Sequence, residues 1–429
     1  MSKMDLKKVF ICGGTGFLGY YSLEEFRRQG VSVGVMALPG EGILNADFWP
    51  KDVDVHEGFL FNLFKMNRDL SDAEKAKNVT HEQKVEMFKG YDAMVYAVGP
   101  DDRVHSPVGA TAYDYFYEKL VTEVADTFEA AKEAGVKKAV LLNSYFAYFD
   151  RVGIHTKEDP ASPYVKGLEP IDPAKLADPE NIPEGGLANS HPYVRVRVQQ
   201  ANKMMQIGAG GVANGGMDVV ILELPYIFGN MPKRTPLWKD VFLDRFANMP
   251  ACMFPTGGTN MIHVNGIAEA VVAATFYGEH GMRLPVGNKD KTFKYMINKM
   301  MEDCGATKRF MGVPCWMATI GGKMVWNNVH KEGRDCGLDY RLLMKHIQSR
   351  FLYNEAACKK TREILHFDEF GYNGGGDLDE GIYNTMVACY PHRYDENGKL
   401  KAEYQGVNFV KGETADNNKV TGLKKVEKK

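Results

Sequence analysis

The feature that most constrains this chain stands near its start: Lys7-Lys8-Val9-Phe10-Ile11-Cys12-Gly13-Gly14-Thr15-Gly16-Phe17-Leu18-Gly19-Tyr20. The apolar run reads as a buried parallel strand, and a glycine-rich turn follows it directly. Leu18, Leu23 and Phe26 then recur at helical spacing until Gly30 supplies a stop. Strand, glycine turn and helix in that order bring backbone N–H groups and a helix N-terminus up to a pyrophosphate. Gly13 suits the tight turn, Gly16 lets phosphates approach the backbone, and Gly19 lets helix and strand pack closely. The spacing alone also fits a glycine turn with no ligand, so the strand–helix context carries the dinucleotide reading.

The 429 residues can bury a large core, and length alone predicts two to three domains. A net charge of −2 argues against a nucleic-acid or anionic-membrane partner for the body of the protein. There is no apolar run of about 18 residues, so no membrane span is expected. The chain passes into its first strand within a few residues, which speaks against a secretory signal. Cysteines at 12, 252, 304, 315, 336, 358 and 389 are odd in number and form no Cys-x-x-Cys pair. Neither a disulfide framework nor a zinc site follows, and a reduced, cytoplasmic protein is expected.

The expected order continues with strands over 31–37, 53–57, 92–99, 138–142 and 217–224. Helices are expected over 72–89, 113–134 and from His191-Pro192-Tyr193 to about Met205. The fifth strand delivers Asn143-Ser144-Tyr145 at the sheet edge where ligands sit in open parallel sheets. Prolines at 160, 163, 170, 173, 179, 183 and 192 mark 158–192 as a surface insertion, either a lid or an inert excursion. Farther on, a strand is expected over 260–264 and another near 284–286. Helices are expected over 266–277, 293–304, 338–351, 354–365 and 377–389. A polar, lysine-rich tail from about Gly412 is expected to be disordered.

Four stations in this order resemble the extended short-chain dehydrogenase/reductase family, often labelled NAD-dependent epimerase/dehydratase. They are Gly13–Gly19, Phe88-Lys89-Gly90-Tyr91-Asp92-Ala93-Met94-Val95-Tyr96-Ala97, Ser144 with Tyr148, and Pro192-Tyr193. Weaker echoes follow in Leu224-Pro225-Tyr226-Ile227-Phe228-Gly229 and over 262–270. The resemblance covers roughly 7–390. It implies an α/β fold: a Rossmann-like doubly wound parallel sheet with a smaller α+β C-terminal substrate-binding region. The division it implies is 1–230 for the dinucleotide, 231–395 mainly for a small-molecule substrate and interleaved with the sheet, and 412–429 as tail. The cofactor implied is NAD or NADP, held by Gly13, Gly14, Thr15, Gly16, Phe17, Leu18, Gly19, Ala97, Val98, Gly99, Tyr193, Arg197, Pro225 and Ile227. A homodimer is the oligomer the family implies.

By the same resemblance Tyr193 is the general acid/base and Ser144 hydrogen-bonds the substrate oxygen. Hydride transfer at a carbinol or carbonyl carbon needs such a proton donor or acceptor beside that oxygen. Taken alone, each also reads as a packed aromatic and a strand-end serine. Four residues after Tyr193 the family has lysine and this chain has Arg197. Helical spacing keeps the cation on the face of Tyr193, but a guanidinium is a poor proton relay. Arg195 should point elsewhere. Leu38 and Phe59 stand where an adenosine-binding acid is expected, and Leu120 where a helix asparagine is expected, with room for a one-residue slip. Three functions stay open. They are an oxidoreductase, an epimerase or dehydratase that recycles its cofactor internally, and a non-catalytic dinucleotide sensor. Lys233 and Arg234 are candidates for a substrate diphosphate. Trp238, Phe242, Phe246, Met249, Met253, Phe254, Met311, Trp316, Met317, Met324 and Trp326 read as core, with an apolar substrate pocket as the minority alternative. His263 reads as a core strand residue, and no spacing points to a metal.

Overall fold

Period-two alternation inside the apolar runs decides the architecture. The computed structural model describes residues 3–37, 49–60, 78–154, 168, 170, 182, 186–232 and 234–414. Its strands are β1 (Lys8–Cys12), β2 (Ser32–Ala37), β3 (Asp54–Glu57), β4 (Ala93–Tyr96), β5 (Lys138–Ser144), β6 (Asp218–Leu224), β7 (Tyr226–Phe228), β8 (Cys252–Pro255), β9 (Gly258–His263), β10 (Arg283–Pro285), β11 (Lys289–Thr292) and β12 (Phe310–Val313). Seven of them form one sheet in the order β10-β6-β5-β4-β1-β2-β3, and every pairing in it is parallel. Val9 and Ile11 of β1 face one apolar layer with Val33, Val35 and Val95. Phe10 and Cys12 face the other with Met36, Met94 and Tyr96. Burial on both faces is why these strands read as unbroken apolar runs.

Strand order reverses between β1 and β4, and the crevice at that switch point opens at the carboxyl ends of both strands. The fold class is therefore the Rossmann-like doubly wound α/β sheet. A smaller ladder, β11-β9-β7, and a parallel pair, β12-β8, stand beside it. The ladder packs with the Phe293–Asp303 and Leu378–Cys389 helices around Phe228, Trp238, Phe242 and Phe246. The larger apolar layer draws on residues from Leu6 to Tyr372, so late segments return to the first sheet.

Several boundaries differ from the sequence expectation. The helix expected over 72–89 is described from His81 to Phe88, fixed by a Thr80 capping box with Gln83; residues 61–77 lie outside the described residues. The helix expected over 113–134 carries a π-turn at Glu118–Thr122. The helix expected over 338–351 is described from Tyr340 to Gln348, its second half, Met344–Gln348, being π-helical. Two helices of eight or more described residues were not foreseen: Tyr145–Val152 and the 17-residue Cys315–Lys331. Part of the core assignment is overturned: Met249 and Met311 are exposed, as are Trp316, Met317 and Met324 on the second of these helices. Most of 158–192 falls outside the described residues. At the start of the expected tail the Glu413 carboxylate is buried and accepts from Arg393 Nε at 2.7 Å; residues 415–429 lie outside the described residues. Among the described residues, no helix is long and apolar enough to cross a membrane.

Candidate active site

The turn after β1 is shaped by close backbone approach. Gly13 holds a φ of +93°, and a Cβ there would lie 2.8 Å from a Val98 methyl and 3.0 Å from the Ala97 carbonyl oxygen. A Cβ on Gly19 would lie 2.2 Å from the Gly13 carbonyl oxygen, and one on Gly14 would lie 2.7 Å from Val35 Cβ. Gly14 and Gly19 thus serve packing, while Gly13, Thr15 and Gly16 line a cleft of about 400 Å³ with Ala97, Val98 and Gly99. The following helix, Phe17–Arg28, starts at Gly16 with no side-chain cap and no acid in its first turn. Its N–H groups and dipole are left to accept an anion. Gly58 and Leu60 line the cleft where an adenosine-binding acid is expected; Leu38 lies outside the described residues.

The cleft runs into a cavity of about 540 Å³, lined by Phe17, Leu18, Ala97, Val98, Gly99, Ser144, Tyr193, Arg197, Pro225 and Ile227. The expected site residues other than Gly14 and Gly19 therefore meet in one continuous space. A wider open depression of about 1120 Å³ beside the first helix holds none of them.

Ser144 ends β5 and caps the unforeseen helix, accepting from the Phe146 N–H at 3.3 Å. Its hydroxyl-bearing side chain and Tyr193 line the same cavity. Tyr193 is near the start of the Pro192–Ile207 helix, where Pro192 fits the first turn. Its N–H donates to the Gly337 carbonyl at 2.8 Å, and its ring meets Phe116 edge-on at 5.1 Å. Burial pushes the phenol up to about 12, against the opposing pull of Arg197. The Arg197 guanidinium lies 5.8 Å from the Tyr193 ring centre. It is committed to β5, with Nε donating to Asn143 Oδ1 at 3.1 Å and Nη2 to the Leu142 carbonyl at 2.8 Å. Arg195 points elsewhere, toward the Tyr113 ring.

Several lining residues escaped the sequence reading. Asp101, Asp102 and Arg103 follow β4 and enter the cavity beside Tyr226 and Trp238. Asp101 accepts two bonds from the Arg103 guanidinium, at 2.6 and 2.7 Å, and one from the Arg103 N–H at 3.0 Å, and Arg103 stacks over Trp238 at 5.5 Å. Burial and the neighbouring Asp101 push the Asp102 carboxyl up. A charged triplet after a strand that ends at the switch-point edge was the available signal. Arg234 reaches both parts of the space, and Lys233 lies outside the described residues. Lys119 lines the cleft, whereas Leu120 is fully buried beneath Gly99. Lys119 donates to Glu123 at 2.8 Å, and burial pushes that carboxyl up to about 7 despite the cation.

As a sequence, the chain matches no protein-family model and no curated protein. Solved structures share its fold. A nucleoside-diphosphate-sugar epimerase from Pseudomonas aeruginosa superposes with a TM-score of 0.56 at 14% identity, covering 89% of this chain and 97% of that one. A Thermus thermophilus UDP-glucose 4-epimerase solved with NAD gives 0.52 at 16%, covering 89% and 98%. The terminal R domain of the myxalamid biosynthetic pathway gives 0.58 at 15%, covering 92% and 93%. Likeness at these identities establishes the shared fold, which is the one the extended short-chain dehydrogenase/reductase resemblance implies.

Proposed function

We propose that this chain is an NAD(P)-dependent oxidoreductase that interconverts a hydroxyl and a carbonyl group on a small molecule. The reading rests on one observation: Ser144, Tyr193 and Arg197 share a continuous space with the glycine turn. Neighbours of the same fold that are described as epimerases, one of them solved with NAD, add support. The residues present fit a dinucleotide, since uncapped N–H groups, a side-chain-free cradle at Gly13 and the cation of Arg234 face the cleft. A bound nicotinamide dinucleotide supplies the hydride acceptor or donor.

The chain's own groups do the rest. The Ser144 oxygen already accepts the Phe146 N–H, so its proton is free to orient the substrate oxygen. Tyr193 gives a proton to that oxygen or takes one from it. Arg197 favours the phenolate by charge but passes on no proton, because its guanidinium stays protonated. We assign the substrate side to residues within 231–395, of which Met231, Arg234 and Trp238 reach the cavity.

Titration with NAD and NADP, followed by a carbonyl panel, tests this on wild type, Tyr193→Phe and Arg197→Lys. Tyr193→Phe is expected to lower turnover by about 10²–10⁴-fold while cofactor affinity changes little. Unchanged turnover removes the acid/base assignment. The tie of Arg197 to Asn143 and Leu142 favours a second reading, a dinucleotide sensor. Tight binding with no turnover across the panel selects it. Product formation without net NAD(P)H consumption selects an internally recycled epimerase.

A further inference from the structure

Half of the large hydrophobic side chains exposed among the described residues lie between 311 and 325: Met311, Trp316, Met317, Ile320, Met324 and Val325. The Cys315–Lys331 helix buries Ala318, Gly322 and Val329 on its inner side. Gly322 is pressed against the chain, since a Cβ there would lie 2.2 Å from the Tyr340 carbonyl oxygen. At 3.6 residues per turn the opposite side carries Trp316, Ile320 and Met324, followed by Asn327 and Lys331. Trp316 is 64% exposed, Met324 63% and Ile320 54%. Water therefore meets an apolar first half and a polar, cationic second half of one helix.

Charge identifies the occupant. The chain as a whole, with 53 basic and 55 acidic residues, offers an anionic surface no net attraction, so the attraction is confined to one stretch. From 304 to 331 there is no Asp or Glu, while Lys308, Arg309, Lys323 and Lys331 are basic. The flanking acids in sequence are Asp303, which is buried and paired with Lys299, and Glu332. We propose that this face is a docking surface for an anionic lipid bilayer, with Trp316, Ile320 and Met324 seated at the headgroup–acyl boundary and Lys323 and Lys331 among lipid phosphates. Exposed Trp and aliphatic side chains rimmed by lysine are the composition that lies in a membrane interface plane. The inner side of the helix is already packed, so the helix lies on the bilayer and does not cross it. A second copy of this chain is the poorer occupant, because the same stretch, 304–331, offers these lysines no acidic side chain to pair with.

The inference stands apart from the proposed reaction, although one segment joins the two regions. The stretch after Asp101–Arg103 pairs with the residues that follow the helix, through Ser106 N–H to the Asp335 carbonyl at 2.9 Å and Gly109 N–H to the Gly333 carbonyl at 2.8 Å.

The full chain is tested by co-sedimentation with phosphatidylcholine vesicles, with and without phosphatidylserine. Wild type is compared with a Trp316→Ser/Ile320→Ser/Met324→Ser variant that keeps every lysine. Wild type should bind the phosphatidylserine vesicles, with salt weakening the binding, and the variant should bind at least about tenfold more weakly with an unchanged Tm. A blue shift of tryptophan emission on vesicle addition, absent in Trp316→Phe, should report insertion of this face. No binding by wild type overturns the proposal. Equal binding by the variant overturns it too, since the charge of the lysine-rich C-terminal segment would then account for the whole effect. Lipid-independent self-association of wild type that the variant loses, without vesicle binding, assigns the face to a second copy and likewise overturns it.

Discussion

The Ser144 hydroxyl accepts the Phe146 N–H and lines the cavity with Tyr193, so one side chain caps a helix and shares the space of the proposed acid/base. Ser144→Ala should cost about 1 kcal/mol from the lost cap, read by urea unfolding, in addition to slowing turnover. Gly19 tests the turn. Its Cβ would meet the Gly13 carbonyl, a backbone atom that cannot swing aside. Gly19→Ala should therefore destabilise by about 1–3 kcal/mol and weaken cofactor binding, which thermal unfolding with and without NAD would report. The Tyr193–Arg197 pair was legible as a spacing of four. What Arg197 binds was not, because Asn143 and Leu142 lie more than fifty positions away in sequence.

Among the elements, the Pro192–Ile207 helix is anchored at its entry by His191. That side chain is fully buried, accepts the Asp339 N–H at 3.1 Å and faces His346 at 5.6 Å. Burial, with His346 and only partly offset by Asp339, holds the imidazole down to about 4 from an ordinary 6.5. A base with a lowered folded-state value stabilises the fold fully above 6.5, and the contribution is lost as pH falls through about 4. The loss is at most about 3 kcal/mol. His191→Asn keeps an acceptor for Asp339, so denaturant midpoints across that range should show a smaller acid-induced drop than in wild type. The Cys315–Lys331 helix was missed because its methionines and aromatics look like core. Burial is set by what packs on a segment, and only Ala318, Gly322 and Val329 are covered.

Across the whole molecule, the C-terminal segment is fastened by a buried ion pair. Arg393 is fully buried and donates to both Glu413 oxygens, at 2.7 and 2.9 Å, and to the Cys304 and Val407 carbonyls. Glu413→Ala leaves that guanidinium buried without its counter-charge and should cost about 3–5 kcal/mol, measured as a lowered Tm. Apolar-for-both replacement at 393 and 413 should recover much of the loss. The anchoring was invisible in sequence, where Glu413 stands in a polar stretch twenty residues from its partner.

By itself the sequence determined the sheet, its switch-point crevice and the glycine turn, because those follow from local periodicity and from the steric needs of adjacent residues. It also brought Ser144 and Tyr193 to the strand end and helix start that meet there. Only the tertiary structure decided the rest: that Arg197 is tied to β5, that Asp101–Arg103 and Arg234 enter the cavity, and that Glu413 is core while Trp316 is surface. Each depends on contacts between segments far apart in the chain, whose burial and electrostatics no local pattern encodes.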